Sequence, residues 1–184
     1  MGLGNPGPEY ENTRHNAGFR LADHLQARWR LGPFRRIPAA REATGMVKGH
    51  EVRLLKPQTY MNRSGAALAP LRSLPDFDAS NDLLVLVDDA ALPAGRFRLR
   101  GAGSSGGHNG LKSVEETLRR QDYARLRIGI GPVPPDLEDL ADYVLDAFTP
   151  DERILLESLL ASMAEAVECW LEEGVERAMS RFNQ

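Results

Sequence analysis

A histidine and an aspartate that can act together on a proton stand far apart in this sequence. His15 lies in the turn-rich stretch GNPGPEYENTRHNAGF, and Asp88 follows the apolar run LLVLV. A carboxylate beside an imidazole fixes its tautomer and stabilises the cation that forms when the ring takes a proton. Spacing alone leaves other roles open. His15 can be a helix-start residue with a structural hydrogen bond, and Asp88 with Asp89 can cap a helix or bind Mg²⁺.

Asparagines in three turns add neutral hydrogen-bond donors. Asn5 precedes a proline in the first turn, Asn62 follows a predicted strand in PQTYMNRSG, and Asn109 follows His108 in a glycine-rich loop. Amide donors of this kind can bind a carbonyl oxygen or an oxyanion. Because no serine or cysteine nucleophile is in reach of the His–Asp pair, the proton that the histidine removes would come from water. The carboxylates and histidines lack metal-ligand spacing, so the sequence predicts no metal.

The glycine-rich loop GAGSSGGHNGLKSV, residues 101–114, fits three short motifs imperfectly. GAGSSG matches a dinucleotide-binding pattern, but the next strand ends in Gly131 and a proline instead of an acidic residue. A P-loop needs lysine directly after its last glycine, and Leu111 intervenes. GSSGG matches a nucleophile elbow at Ser105, but His108 follows too closely for the acid that belongs between them. We interpret the loop as a place where a ligand approaches the backbone closely.

Alternating helix and strand patterns predict the elements that position these groups. Helical spacing marks residues 17–29, 64–74 and 110–120, and strands are expected at 46–49, 51–57, 83–89, 96–100 and 124–131. The turn between the first two strands is placed at Gly49 and His50. A long helix over 149–174 carries a capping box at Thr149 and Glu152 and ends at Gly174. This order predicts an α/β fold with a mixed sheet.

Composition narrows the class of protein further. The chain has 184 residues, a net charge of −3 and one cysteine, Cys169, which an apolar helical pattern marks as a core residue. We find no secretory signal and no membrane-spanning run, so a cytoplasmic location is expected. Up to Gly131 there are 20 Lys and Arg against 13 Asp and Glu, and afterwards 3 against 13. This split favours a polyanionic partner, although a solvated acidic tail is the simpler explanation.

Five motifs in order resemble the bacterial peptidyl-tRNA hydrolases. They are GLGNPGPEYENTRHNAGF, LLKPQTYMNRSG, VLVDDAALPAG, GSSGGHNGLKSV and RLRIGIG, and the resemblance extends to the closing VERAMSRFN. It implies one α/β domain over residues 1–184, with a mixed twisted sheet flanked by helices. The implied protein is a monomer without metal or cofactor. The family usually begins with a few more residues, so the first strand is expected to be truncated before Gly2.

The resemblance also implies an activity and a set of roles. The family hydrolyses the ester between peptide and tRNA, which recycles tRNA in translation. His15 matches the general base and Asp88 the carboxylate that holds it, while Asn5 matches the residue that distinguishes blocked from free aminoacyl groups. Other matched residues bind the peptide, the acceptor stem and 3′ end, or the tRNA 5′-phosphate. These substrate-binding matches are Tyr10, Tyr60, Met61, Asn62, His108, Asn109, Arg100 and Arg127.

Within this set, Met61 and His108 match wall and gate positions, and Arg100 with Arg127 matches the phosphate clamp. Two other functions remain open beside this one. A non-catalytic RNA-binding relative of the same fold would retain the surface without turnover. A dinucleotide-dependent oxidoreductase would use GAGSSG.

Overall fold

A mixed sheet forms the middle of the molecule in this computed structural model, which describes residues 1–183. Three antiparallel strands lie in the order β1-β2-β3, and three more lie in the order β4-β6-β5, with β4 and β6 parallel and β5 antiparallel to β6. The strands are β1 (Arg35–Ile37), β2 (Ala40–Val47), β3 (His50–Pro57), β4 (Leu84–Pro93), β5 (Phe97–Arg100) and β6 (Ala124–Gly131).

Residues 1–3 lie extended between the two groups of strands and join them. The Gly2 amide donates to the Leu55 carbonyl of β3 at 2.9 Å, and the Leu3 amide donates to the Leu86 carbonyl of β4 at 2.9 Å. This backbone pairing leads directly into the turn that carries Asn5. The predicted mixed sheet is thereby confirmed.

Seven α-helices flank these strands in the described part of the chain. They are α1 (Ala17–Arg28), α2 (Ala69–Arg72), α3 (Ala79–Asp82), α4 (Asn109–Leu118), α5 (Leu140–Leu145), α6 (Pro150–Glu173) and α7 (Val175–Phe182). Short 3₁₀ helices cover Pro8–Tyr10, Arg14–Asn16 and Met61–Leu68. Over residues 1–183, no helix has the length and apolar character needed to span a membrane.

Strand β4 is apolar on both faces because helices cover it on both sides. Leu84 and Leu86 pack with residues of α1, α6 and α7, whereas Val85 and Val87 pack with residues of α4 and the 3₁₀ helix at Met61–Leu68. Alternate strand residues point to opposite faces, so a strand buried on both sides reads as one continuous apolar run. The apolar run ends at Asp88, and the strand becomes partly exposed from Ala90 onward.

Several predicted elements are confirmed with close boundaries, namely α1, α4, β5, β6 and the long helix. The Thr149 hydroxyl and the Glu152 side chain form the expected capping box, and Gly174 ends the helix at φ 83°. Cys169 is buried as predicted. The turn between β2 and β3 was placed one residue late, because Lys48 and Gly49 take the positive φ angles and His50 begins β3.

The helix predicted over residues 64–74 begins earlier and is mostly 3₁₀ in form. Close packing against α4 explains the difference. The Gly65 amide donates to the Ser113 hydroxyl at 3.0 Å, and a Cβ added to Gly65 would lie 2.1 Å from the Ser113 carbonyl oxygen. Tertiary contact therefore overrides the local helical pattern here. The elements β1, α3, α5 and α7 were not predicted.

Candidate active site

A cleft of about 760 Å³ opens at the end of β4. The turn at Arg14–Asn16, the 3₁₀ helix at Met61–Leu68, the loop before α4 and helix α5 all contribute to its walls. Carboxyl ends of parallel strands are common ligand sites because the flanking connections diverge there. Its polar lining residues include Asn5, Tyr10, His15, Tyr60, Asn62, Asp88, Asp89, Ser105, His108, Asn109 and Arg127.

His15 and Asp88 meet in the floor of this cleft, as predicted. The imidazole Nδ1 lies 2.9 Å from Asp88 Oδ2, and the two residues are 8% and 4% exposed. A carboxylate only accepts hydrogen bonds, so the ring proton of neutral His15 is on Nδ1 and the Nε2 lone pair is free. Burial alone would raise the pKa of Asp88, but the two imidazoles, His108 and then His15, hold it well below its usual range.

The second imidazole belongs to His108, whose Nε2 lies 3.0 Å from the other oxygen of Asp88. The three side chains form a compact group of possible metal ligands that spacing did not reveal. Their hydrogen bonds do not suit a metal. His108 Nδ1 accepts from the Gly110 and Leu111 amides, so its ring proton is on Nε2, and a protonated nitrogen cannot ligate a cation.

Asn5 is locked in place by two neighbours. Its backbone amide donates to Asn16 Oδ1 at 2.7 Å, the Asn16 amide nitrogen donates back to the Asn5 carbonyl at 3.0 Å, and the Met61 amide donates to Asn5 Oδ1 at 2.7 Å. The side-chain oxygen of Asn5 is therefore occupied. Within residues 1–183, these bonds leave its Nδ2 group as the donor available to the cleft.

The turn that carries His15 is anchored from behind by Arg14. This guanidinium donates to both oxygens of Glu152, at 3.2 and 2.9 Å, and to the Tyr143 carbonyl at 3.1 Å. It also lies over the Tyr143 ring at 4.2 Å. Glu152 is at the same time the capping-box residue of α6. One buried arginine thus ties the turn that carries His15 to α5 and to the start of α6.

The two predicted phosphate-binding arginines lie on neighbouring strands. Arg127 of β6 lines the cleft, its Nε lies 2.9 Å from Asp89 Oδ2, and its terminal nitrogen lies near Gly106 of the glycine-rich loop. Arg100 is exposed at the end of β5 and is not part of the cleft lining. Arg127 in the cleft and Arg100 at the end of β5 are therefore two separate positive positions on adjacent strands.

The remaining predicted residues form a more open wall. The Tyr10 and Tyr60 rings meet edge to face at 6.5 Å, and Tyr60 is 63% exposed. Asn62 and Asn109 are exposed at the cleft, whereas Met61 is buried beneath it. The structure therefore brings every predicted site residue except Arg100 to one cleft.

Comparison with known proteins agrees along the whole chain. The family model described as Peptidyl-tRNA hydrolase matches residues 1–184. The chain belongs to the peptidyl-tRNA hydrolase family. A peptidyl-tRNA hydrolase of Gemmatimonas aurantiaca is 50% identical over 100% of this chain and 98% of its own length. One of Chloroflexus aggregans is 49% identical over 100% and 97%. The crystal structure of peptidyl-tRNA hydrolase from Acinetobacter baumannii has a TM-score of 0.91 and 35% identity, covering 99% of this chain and 92% of that one.

Sequence reasoning missed several residues that shape this family site. Asn16 was noted only as part of a polar turn, although it holds the backbone of Asn5. Arg14 and its ion pair with Glu152 carried no sequence signal, because the partners lie 138 positions apart. Asp89 was considered as a cap or a magnesium ligand and instead pairs with Arg127.

Proposed function

We propose that the protein hydrolyses the ester bond between peptide and tRNA in peptidyl-tRNA, with His15 as the general base and Asp88 as the group that orients it. Membership of the peptidyl-tRNA hydrolase family supports the reaction and the substrate. The contact of 2.9 Å between His15 Nδ1 and Asp88 supports the roles. It leaves Nε2 as an acceptor in the floor of a cleft, which is what a base acting on water requires.

The reaction follows from that arrangement. A water oxygen attacks the ester carbonyl carbon while His15 Nε2 takes a water proton, and Asp88 stabilises the resulting imidazolium. The negative charge collects on the carbonyl oxygen, where amide donors such as Asn109 can bind it. The bond from carbon to the ribose oxygen then breaks, and that oxygen takes the proton from the imidazolium. The products are a tRNA with a free hydroxyl and a peptide carboxylic acid, which releases its proton to the solvent and becomes a carboxylate.

Asn5 supplies selectivity for an N-blocked substrate. Its Oδ1 already accepts from the Met61 amide, so it presents an N–H donor. In peptidyl-tRNA the first atom group beyond the α-nitrogen is a carbonyl, whose oxygen can accept that bond. A free α-ammonium group carries only donors, and it would meet the Asn5 amide with no acceptor. Because a buried unpaired donor costs about 1–3 kcal/mol, aminoacyl-tRNA is disfavoured.

Substrate binding uses the exposed polar residues of the cleft wall and the two arginines on β5 and β6. The exposed Tyr60, Asn62 and Asn109 are accessible to the acceptor end of tRNA. Arg127 and Arg100 provide guanidinium groups for the 5′-phosphate, with Asp89 fixing one edge of Arg127. A monomer suffices for this scheme, because every proposed group comes from one chain.

Release of N-acetylated amino acid from N-acetyl-aminoacyl-tRNA tests the proposal, with unblocked aminoacyl-tRNA measured in parallel. The wild type cleaves only the blocked ester. His15→Ala loses turnover by about 10²–10⁴-fold, because a general base contributes chiefly in the transition state, and it still binds the tRNA. Full activity in His15→Ala would contradict the assigned base. Binding without cleavage by the wild type would favour the RNA-binding alternative, against which the intact His15–Asp88 pair argues.

A further inference from the structure

Asp88 makes a second contact that the hydrolytic reaction does not require. One oxygen bonds to His15, and the other bonds to His108 Nε2 at 3.0 Å. Asp88 is 4% exposed, so little water competes for either oxygen. The two imidazole rings are tilted against each other, with centroids 4.9 Å apart. A change at one oxygen of a carboxylate alters the charge that the other oxygen presents.

His108 also caps a helix, and this second bond fixes its tautomer. It is the N-cap residue of α4, with an extended backbone, and its Nδ1 accepts from the Gly110 amide at 3.1 Å and the Leu111 amide at 3.3 Å. An acceptor nitrogen carries no proton, so the ring proton is on Nε2 and points to Asp88. A proton added to Nδ1 would face two backbone N–H groups at the positive end of a helix.

We propose that His108 is a positioning residue of the hydrolytic site: as a tautomer-fixed helix cap, it donates to Asp88 and thereby sets how strongly Asp88 polarises His15. The proposal rests on the proposed function, since it concerns the same base. It differs from the gate role that the family resemblance implies. A gate must swing, whereas this ring is held by three hydrogen bonds at two opposite nitrogens.

Removing the His108 contact changes the pH dependence in one direction, because His108 and His15 share the negative charge of the Asp88 carboxylate. While His108 donates to Asp88, less of the carboxylate charge is available to an imidazolium at His15. Without that donor, protonated His15 is better stabilised, and the base loses its free lone pair at a higher pH. The acid limb of the pH–rate profile therefore shifts to higher pH, while the rate is retained at a pH above the acid limbs of both the variant and the wild type.

Other charges near Asp88 are already compensated. The charged side chains on the elements that meet at Asp88 are Arg14, Arg63, Asp89, Lys112, Glu115, Glu116, Arg125 and Arg127. Arg63 and Glu116 are exposed, and Arg125 lies 4.0 Å from Glu115. Arg14 pairs with Glu152 and Arg127 pairs with Asp89. Lys112 is exposed on α4. A change of charge distribution at Asp88 is therefore felt chiefly by the two histidines.

Two substitutions separate the cap from the contact with Asp88. His108→Asn keeps an oxygen near the position of Nδ1 and is a favoured N-cap, but it is too short to reach Asp88. His108→Gln places an amide nitrogen near the position of Nε2 and can donate to Asp88, but it is a poor cap. We expect wild-type melting temperature and a shifted pH profile in His108→Asn. We expect the opposite combination in His108→Gln.

The experiment is the pH dependence of kcat/KM on N-acetyl-aminoacyl-tRNA for the two variants and the wild type. In His108→Asn the midpoint of the acid limb shifts to a pH about one unit higher than in the wild type. At a pH below the midpoints of both proteins, the variant is therefore about tenfold less active, and at a pH above both midpoints its activity changes little. An unshifted limb, or a loss of equal size at every pH, would overturn the proposal. A rise in KM with an unshifted limb in both variants would replace it with the gate role.

A measurement independent of activity keeps this proposal distinct from the hydrolase assignment. Long-range ¹H–¹⁵N spectra of the histidine rings report which nitrogen carries the proton. The wild type is expected to show His108 protonated at Nε2 and His15 protonated at Nδ1. If His108 instead carries its proton on Nδ1, the positioning role is wrong even if hydrolysis is intact. If the tautomers are as expected and no ester is cleaved, only the proposed function fails.

Discussion

Two buried polar clusters contact the glycine-rich loop, at Ser104 and at His108, and they differ in how completely their atoms are bonded. In the first, which we call the catalytic cluster (His15, Asp88 and His108), both carboxylate oxygens have partners. In the second, the arginine cluster (Glu115, Tyr123 and Arg125), a buried atom of each residue has no hydrogen-bond partner within residues 1–183: Glu115 Oε1, the Tyr123 hydroxyl and Arg125 Nε. Glu115 Oε1 has only a distant ionic contact, 4.0 Å from Arg125.

The arginine cluster nonetheless has a structural task. The Arg125 guanidinium is 1% exposed, donates to the Ser104 and Gln121 carbonyls at 3.1 and 3.0 Å, and lies over the Tyr123 ring at 4.3 Å. Burial lowers its pKa. It holds the backbone of the loop, where a displacement of a few tenths of an ångström has no chemical consequence. Asp88 therefore has partners for both of its carboxylate oxygens, whereas the arginine cluster holds the loop while three of its buried polar atoms have no hydrogen bond within residues 1–183.

Asp88→Asn tests the catalytic cluster most severely. Two imidazole N–H donors would then face one amide, whose nitrogen is itself a donor, so one histidine loses its partner. We expect kcat to fall by about 10²–10⁴-fold with nearly unchanged tRNA binding. Steady-state hydrolysis and filter binding check this. A kcat within a few-fold of the wild type would show that the cluster's bonding is not needed for turnover.

Acid unfolding of the same pair of proteins gives a second readout. The pKa of Asp88 is lowered in the folded state, so its ionisation stabilises the fold above the unfolded value of about 3.9 and the contribution is lost as pH falls through the folded value. Urea unfolding of wild type and Asp88→Asn between pH 3 and 7 should therefore show a stability difference that changes only at the acid end. A difference that is constant over this range would contradict the lowered pKa.

Arg125→Met tests the arginine cluster by removing the guanidinium while keeping most of the side-chain volume. Two loop carbonyls lose charge-assisted bonds, so we expect a loss of about 2 kcal/mol in the free energy of unfolding. The effect on kcat should be small beside that of Asp88→Asn. Arg98→Met, at an exposed position of β5, is the matched control and should change stability by less than about 0.5 kcal/mol. Equal losses in the two variants would remove the structural role.

Arg127 allows a substrate-binding arginine to be compared with the structural Arg125, because it lies two residues away on the same strand yet lines the cleft. Arg127→Ala should weaken tRNA binding and reduce the slope of log K against log salt by about one phosphate contact. It also leaves Asp89 without its partner, so Arg127→Ala with Asp89→Asn is the control. The double variant should recover stability and still show the reduced slope. An unchanged slope in both would remove Arg127 from the phosphate clamp.

Tyr123→Phe gives the smallest effect and has the opposite sign. The Tyr123 hydroxyl is buried without a partner in the described part of the chain, so removing it should stabilise the fold by about 1 kcal/mol. Burial raises the pKa of Tyr123 to about 12, so wild-type stability falls as pH rises above the unfolded value of about 10, and the variant lacks this fall.

Tyr143→Phe is the matched control for that substitution. The Tyr143 hydroxyl donates to the Ile130 and Pro132 carbonyls, so the same atom deletion should destabilise the protein. Thermal unfolding at neutral and alkaline pH measures both variants. If the two substitutions have the same sign, bonding of the hydroxyl does not decide its contribution.

The sequence alone was sufficient to predict those structural features that depend on a few neighbouring residues. The capping box at Thr149 and the buried strand that carries Asp88 follow from short patterns, and both are present, although the strand predicted to end at residue 89 continues to Pro93. The turns themselves indicated that Asn5 and Asn62 could act as amide donors, but their specific roles came only from the family resemblance, since an asparagine in a turn is otherwise a common structural residue. Their side chains do lie at one cleft.

What the sequence could not show are contacts between distant segments. The bond from His108 to Asp88 joins residues 20 positions apart on different elements. The helix predicted from residue 64 became largely 3₁₀ because Gly65 packs closely on α4. Arg125 and Arg127 lie two residues apart on the same strand, yet Arg125 is buried against the Tyr123 ring, whereas Arg127 is partly exposed beside Asp89. Packing, not pattern, decides each of these cases.

The ion pair between Arg14 and Glu152 has a consequence for the order in which the protein becomes active during synthesis. His15, Asp88 and His108 all leave the ribosome before Glu152 does, yet the turn carrying His15 is held by that later residue. Closing a segment of 138 residues costs chain entropy, which the contacts of residues 143–152 with this turn offset. A nascent chain therefore carries all three members of its catalytic cluster without their final anchor. The site is completed only when the last long helix folds.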